Sequence, residues 1–369
     1  MSLLACLSIT VLGAAKSDEV VIGVTLPLTG DLAFSGQQVS QGMTMAMEEI
    51  NEQGGVLGKK LRLDFQDDKR DPIEGANTYQ LLKGRGYPII LGSLTSGVTA
   101  GMAAKADVDK MPILTPTGTA DMLTEGKSFV FRSCFVDSYQ GKIVAKFAAE
   151  TLKVKKAAVL YCSADEYSLG LYESFLIACK DFGIELVAKE ISTTMTDVDY
   201  SAQLTKIKES GAEMIFAPYY YGTAALIVVQ AREAGFTGYL VGADGWSNIA
   251  GKVGDNADAF KDTYWTGHYS VDDPEPAVQA FVKKFTSKYG NETLTSSAAL
   301  GYDCVFIAAQ AMKEANSTTD REKVAAALRS LKFSGTSGTF TLEGGNPQKN
   351  VVVNGIVDGK EKYIVTVKP

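Results

Sequence analysis

The residue types from which a site could be built gather in short loops that follow apolar, strand-like runs. In IILGSLTSGVTAGMAAKA (89–106), Ser93, Thr95, Ser96 and Thr99 stand where a strand hands over to an alanine-rich helical segment. Such a junction can hold a phosphate, present a nucleophilic serine, cradle a carboxylate, or merely cap its own helix. TPTGTADML (115–123), with Thr117 and Thr119, repeats the pattern. Neutral hydroxyls beside the free N–H groups of a helix start can bind an anion without a formal positive charge. Capping explains any single hydroxyl just as well.

The remaining loops offer other chemistry. In PLTGDLAFSGQQ (27–38), Phe34 and Ser35 either line a pocket or form an ordinary turn with a half-buried aromatic. YCSADEYSLGLYES (161–174) and PYYYGTA (218–224) present Tyr167 and Tyr220. A tyrosine gives a large contact face with a polar tip, suited to closing over a small molecule or to rim packing. VGADGWSN (241–248) places Asp244 and Trp246 just past an apolar strand. The carboxylate there can pair with a ligand ammonium, and the indole can wall the pocket. An Asp-Gly turn with a capping aspartate is the rival reading.

Catalysis finds little support in these residues. No G-x-S-x-G elbow, G-x-x-x-x-G-K-[ST] loop or G-x-G-x-x-G fingerprint occurs, and the single histidine, His268, reads as part of a strand or a crossing between domains. QDDKRD (66–71) reads as a solvated strand end or helix cap. Cys6, Cys134, Cys162, Cys179 and Cys304 are scattered, without metal-ligand spacing, so they read as small buried apolar residues, with one disulfide left open. No metal and no cofactor are expected. A net charge of −7 gives no electrostatic footprint for nucleic acid.

The elements that must position these loops alternate. Strand-like runs at 20–28, 60–65, 87–91 and 112–116 are interleaved with helical patterns, and a second set restarts near 139 with strands at 156–162, 185–190, 212–218 and 238–243. That alternation predicts parallel, doubly wound sheets, and 369 residues suit two domains. Open sheets of this kind bind ligands at the carboxyl ends of their strands, where the loops above fall. Helical patterns at 276–288, 297–315 and 320–331 follow, then a hairpin turning at Asp358-Gly359. MSLLACLSITVLGAA at the start is too short to span a bilayer and reads as the apolar core of an export signal, or as a tail with no export role. LLAC (3–6) loosely matches a lipobox that would lipidate Cys6.

IGVTLPLTGDLAFSGQQVSQGMTMAMEEINEQGGVLGKKLRLDFQDD, ILGSLTSGVTAGMAAKA, PILTPTGTADML and LVGADGWSN, in that order, resemble the bacterial leucine/isoleucine/valine-binding proteins, type I periplasmic binding proteins of ATP-driven importers. The resemblance runs from about residue 19 to the C-terminus. It implies an α/β fold of two Rossmann-like lobes joined by three crossings, with a tail over 1–18, a first lobe of 19–135 plus 268–334, and a second of 136–267 plus 335–369. It also implies a monomer without enzymatic activity, located outside the cytoplasm, that closes on a neutral amino acid and docks on a membrane permease. An amide or a small aromatic acid, sensed rather than transported, is the alternative. By position, the resemblance gives the ligand carboxylate to Ser93 and Thr119, a backbone contact to Thr117, the head group to Tyr167 and Tyr220, and the ammonium to Asp244. Thr95 is expected to touch the ligand, Ser35 to widen the side-chain pocket and Trp246 to narrow it, and Ser96 and Thr99 are expected to cap the helix.

Overall fold

The computed structural model describes residues 18–290 and 294–367; the N-terminal apolar run, Cys6 included, lies outside them. The first sheet is parallel throughout, in the order β2-β1-β3-β4-β5, from β1 (Glu19–Leu26), β2 (Lys60–Asp67), β3 (Ile90–Gly92), β4 (Ile113–Thr115) and β5 (Val130–Arg132). Between them run α1 (Ala33–Glu52), α2 (Pro72–Gly84) and α3 (Ser96–Asp109). Strand residues such as Ile22, Val24, Ile90, Leu91, Ile113 and Leu114 are fully buried, because helices cover a parallel sheet on both faces.

The second lobe continues with α4 (Asp137–Glu150), β6 (Lys156–Cys162), α5 (Glu166–Asp181), β7 (Glu185–Ser192), α6 (Ser201–Glu209), β8 (Met214–Phe216), α7 (Tyr221–Glu233), β9 (Tyr239–Gly242) and β10 (Thr263–Gly267). The chain then returns to the first lobe as α8 (Pro276–Tyr289), α9 (Ser296–Glu314), α10 (Arg321–Ser330) and the hairpin β11 (Lys332–Gly335)–β12 (Gly338–Thr341). It closes in the second lobe with β13 (Val351–Val357) and β14 (Lys360–Val367). The second sheet reads β14-β13-β10-β9-β8-β6-β7, parallel except for the terminal hairpin, in which β13 pairs antiparallel with both β10 and the edge strand β14. That hairpin turns on Asp358 (φ 50°) and Gly359 (φ 72°), the two positive φ values that a two-residue turn of this twist demands.

Two expectations about boundaries change. The 27–38 stretch is not wholly a loop, because α1 starts at Ala33 and carries Phe34 and Ser35 in its first turn. Gly36 permits this, since a Cβ there would stand 1.9 Å from the Pro27 carbonyl oxygen, where helix and strand exit touch. The last passage between lobes also falls later than residue 334. Thr336 and Ser337 donate backbone N–H groups to the buried Asp303 carboxylate of α9 (3.0 and 2.7 Å), and Thr124 Oγ1 still donates to Asn346 Oδ1 at 2.8 Å. The chain therefore leaves the first lobe only after Asn346.

Candidate functional site

The carboxyl ends of the two sheets face each other across a cavity whose walls come from both lobes. The first lobe supplies Leu32, Ser35, Leu94, Ser96, Thr117, Ser296 and Ser297. Tyr167, Tyr220, Tyr221, Asp244, Gly245 and Ser247 come from the second, and His268 from the crossing after β10. Leu32, Thr95, Tyr220 and Thr295 are the N-caps of α1, α3, α7 and α9, and none makes a side-chain cap hydrogen bond. Several helix N-termini without a side-chain cap thus border one space, and the partial positive charge of a helix start favours a carboxylate there.

Asp244 follows β9 and is the carboxylate of the cavity wall, its side chain 9% exposed. Tyr167 Oη donates to Asp244 Oδ1 at 3.0 Å and accepts the Gly245 N–H at 2.7 Å. Residue 245 must be glycine for this, because a Cβ there would lie 2.7 Å from both Tyr167 Oη and the Tyr219 carbonyl oxygen. Tyr167 and Tyr220 stack with centroids 5.2 Å apart and planes at 14°. Burial pushes both phenols well above the ordinary tyrosine range, so each stays protonated and can donate.

His268 Nε2 lies 3.5 Å from Asp244 Oδ2 and its ring stacks on Phe135 at 3.9 Å. Burial holds the imidazole below its usual value although Asp244 pulls the other way, so the ring is neutral at pH 7. Behind Asp244 sits Asp137, fully buried, with neither carboxylate oxygen hydrogen-bonded. Burial first, and the Asp244 charge second, push its carboxyl well above the usual range, with the Thr119 hydroxyl pulling the other way. Thr119 Oγ1, both oxygens of Asp137, both polar atoms of the Gln140 amide and both nitrogens of His268 lack protein hydrogen-bond partners. A buried polar atom left unpaired costs about 1–3 kcal/mol, so each of them calls for an explanation.

The structure brings together Ser35, Thr117, Tyr167, Tyr220 and Asp244, and leaves others out of the cavity wall. Ser93 is the main change. Its Oγ donates to Asp68 Oδ2 at 2.7 Å inside the first lobe, while Ser96, at the first turn of α3, faces the cavity and accepts the Ala120 N–H at 3.2 Å. Ser96 is thus no mere helix cap. Thr99 is the internal one, donating to the Thr95 carbonyl at 2.7 Å. Thr95 lines an outer groove between the lobes, not the cavity. Thr117 Oγ1 donates to the Leu94 carbonyl at 2.6 Å, which leaves its backbone and methyl for a ligand. Trp246 is fully buried in the second lobe, its Nε1 donating to the Ala217 carbonyl at 2.7 Å, so it does not narrow the cavity. Phe34 packs edge-on against Tyr221, with centroids 6.4 Å apart. Thr119 is buried behind the wall.

Tyr221 and Ser247, which sit in PYYYGTA and VGADGWSN, also wall the cavity, as do His268, Ser296 and Ser297 from outside the strand-end loops singled out above. His268 directly follows β10, so the strand-end rule would have selected it. Ser296 and Ser297 begin a helix with no strand before it, and nothing local announces them. Cys134, Cys162, Cys179 and Cys304 are all buried and free. Among the described residues no helix is long and apolar enough to cross a membrane.

Two doubly wound lobes that each wall one cavity, lined by apolar surface with a carboxylate and several hydroxyls set into it, define a small-solute binding protein of the two-lobed kind. Residues 19–360 match the family of periplasmic binding proteins, and the chain belongs to that family. It is similar to Leu/Ile/Val-binding protein homolog 3 of Brucella melitensis, with 31% identity over 89% of this chain and 88% of that protein. Among solved structures, the leucine-binding protein LivK of Thermotoga maritima MSB8 superimposes with a TM-score of 0.88 at 31% identity, covering 95% of this chain and 99% of that one. The branched-chain amino acid transporter substrate-binding protein LivJ of Streptococcus pneumoniae, in complex with isoleucine, gives 0.87 at 30%, covering 96% and 100%.

Proposed function

We propose that this protein is an extracytoplasmic solute receptor of an ATP-driven importer that closes its two lobes around a neutral α-amino acid, with branched-chain amino acids as the first candidates. The observation that carries the reading is the polarity of the cavity. Asp244, held by Tyr167, stands on one lobe, and Ser96 at the α3 N-terminus, which has no side-chain cap, stands on the other. A zwitterion satisfies both ends at once. In this arrangement Ser96 and the α3 and Thr117 backbone take the carboxylate, and Asp244 takes the ammonium, with Asp137 behind it. Leu32, Leu94 and the rings of Tyr220 and Tyr221 supply apolar contact to the side chain.

Each lobe holds part of the site, so ligand stabilises the closed arrangement only through contacts that the open one lacks. The closed monomer then presents both lobes together to a membrane permease. The ligands of the similar proteins support the amino-acid class, and the apolar start of the chain supports export, with Cys6 of LLAC as the lipid anchor site. The test is a thermal-shift and calorimetric screen of ligand-stripped protein against the neutral L-amino acids. Saturable one-site binding, with a melting temperature that climbs with ligand concentration, is the expected outcome. No binding of any of them would overturn the reading.

A further inference from the structure

One contact across the lobes lies outside the ligand cavity. Arg70 follows β2 in the first lobe, with a left-handed backbone (φ 62°) and its N–H donated to Asp68 Oδ1 at 2.9 Å. Its guanidinium pairs with Asp31 of the same lobe, and its side chain is only 14% exposed. The guanidinium carbon lies 4.7 Å from the centroid of the Tyr220 ring, which belongs to the second lobe. Tyr220 stacks in turn on Tyr167, whose hydroxyl holds Asp244. Next to this column, Tyr221 Oη donates to the Asp31 carbonyl at 3.2 Å. One first-lobe ion pair therefore grips two successive second-lobe tyrosines. Arg70 does not wall the cavity; it lines the outer groove opposite Asp165 and Glu166 of the second lobe. Its charge also draws on the Asp165 carboxylate across the gap.

We propose that Arg70 is a positioning residue for ligand binding: it clasps Tyr220 across the cleft and thereby holds the Tyr167–Asp244 pair in place and the lobes shut, without touching the ligand. This rests on the receptor reading above. A cation over a ring face is attracted by the ring quadrupole, more strongly when water is excluded. The flat guanidinium can stack on the phenol and bond Asp31 in the same plane, which an ammonium cannot do. Because the contact joins residues of different lobes, its free energy adds to closure and hence to apparent affinity. The encounter itself needs no clasp, so its loss falls on the dissociation rate.

The test compares Arg70→Met and Arg70→Lys with the wild-type chain, all ligand-stripped in a Cys6→Ser background. Nitroxide labels on Val108→Cys and Ile177→Cys, one on each lobe and 88% and 64% exposed, report the interlobe distance. The probe is whichever of the twenty L-amino acids the wild type binds most tightly. Arg70→Met is expected to speed dissociation about 5- to 30-fold, leave association within about twofold, and lengthen the interlobe distances. Arg70→Lys is expected to lie between the two. Unchanged dissociation with unchanged distances in Arg70→Met would overturn the proposal. If no amino acid binds the wild type, the receptor reading fails, and the ligand-free distance distributions decide the clasp alone: a shift supports it and identical distributions reject it.

Discussion

Asp244→Asn keeps the size of the side chain and leaves an amide oxygen for the Tyr167 hydroxyl, 3.0 Å away in the native protein. It removes only the negative charge. With the native carboxylate 9% exposed and His268 neutral beside it, no other ionised group among the described residues of the cavity wall can replace it. A ligand ammonium would then be buried with its partner gone, a change that costs about 3–5 kcal/mol in comparable sites. At about 1.4 kcal/mol per tenfold, this is a loss of roughly 150- to 4,000-fold in affinity. Calorimetry on ligand-stripped protein measures it directly. A thermal shift gives a second reading, because ligand at a thousand times its dissociation constant stabilises by about 4 kcal/mol, and a variant that binds a thousandfold more weakly would lose nearly all of that. Affinity within threefold of the wild type would refute the assignment of Asp244 to the ammonium.

Ser96→Ala and Ser93→Ala separate the two hydroxyls: the first is expected to weaken amino-acid binding at least tenfold, whereas the second leaves affinity within about twofold and lowers stability by about 1–3 kcal/mol through loss of one hydrogen bond to the buried Asp68 carboxylate, which keeps those from Thr25 and the Arg70 N–H, read by calorimetry and urea unfolding. Asp137→Asn should melt higher than the wild type without ligand at pH 8, and less so at pH 4. A carboxyl whose folded-state value is raised by burial and Asp244 stabilises below the unfolded value and loses that contribution as pH rises through the folded one. Each kcal/mol gained corresponds to about 2–4 °C. The same sign applies to Glu361 in β14, whose carboxyl burial pushes up to about 7. Glu361→Gln is therefore expected to raise the melting temperature at pH 8 relative to wild type and to change it little at pH 4, checked by scanning calorimetry at both.

How far the sequence could be read depends on which physical signal each residue carried. The parallel sheets were legible because buried runs such as VVIGVTLPL and KAAVLYC alternate with helical spacings. The terminal hairpin was legible because Asp358-Gly359 is the pair that a positive-φ turn selects. Asp244, Tyr167 and Tyr220 were findable because each lies just past a strand or at a helix start at the carboxyl end of its sheet. Ser93 and Ser96 illustrate the limit. They lie three residues apart in one junction, and the one that meets the cavity depends on where α3 begins, which no local pattern sets to a single residue. Trp246 was misplaced for a similar reason: the short helical turn Asp244–Trp246 swings its ring back into the second lobe. Ser296 and Ser297 depend on the chain's return to the first lobe, a long-range event invisible in any short window.

The most direct test of zwitterion recognition pairs each neutral L-amino acid that binds with its deamino analogue, the same carboxylic acid without the ammonium, in calorimetric titrations of ligand-stripped protein. The expected result is one-site binding of at least one amino acid, with its deamino analogue bound about a hundredfold more weakly or worse. Equal or tighter binding of the carboxylic acid lacking the ammonium, unaffected by Asp244→Asn, would contradict it.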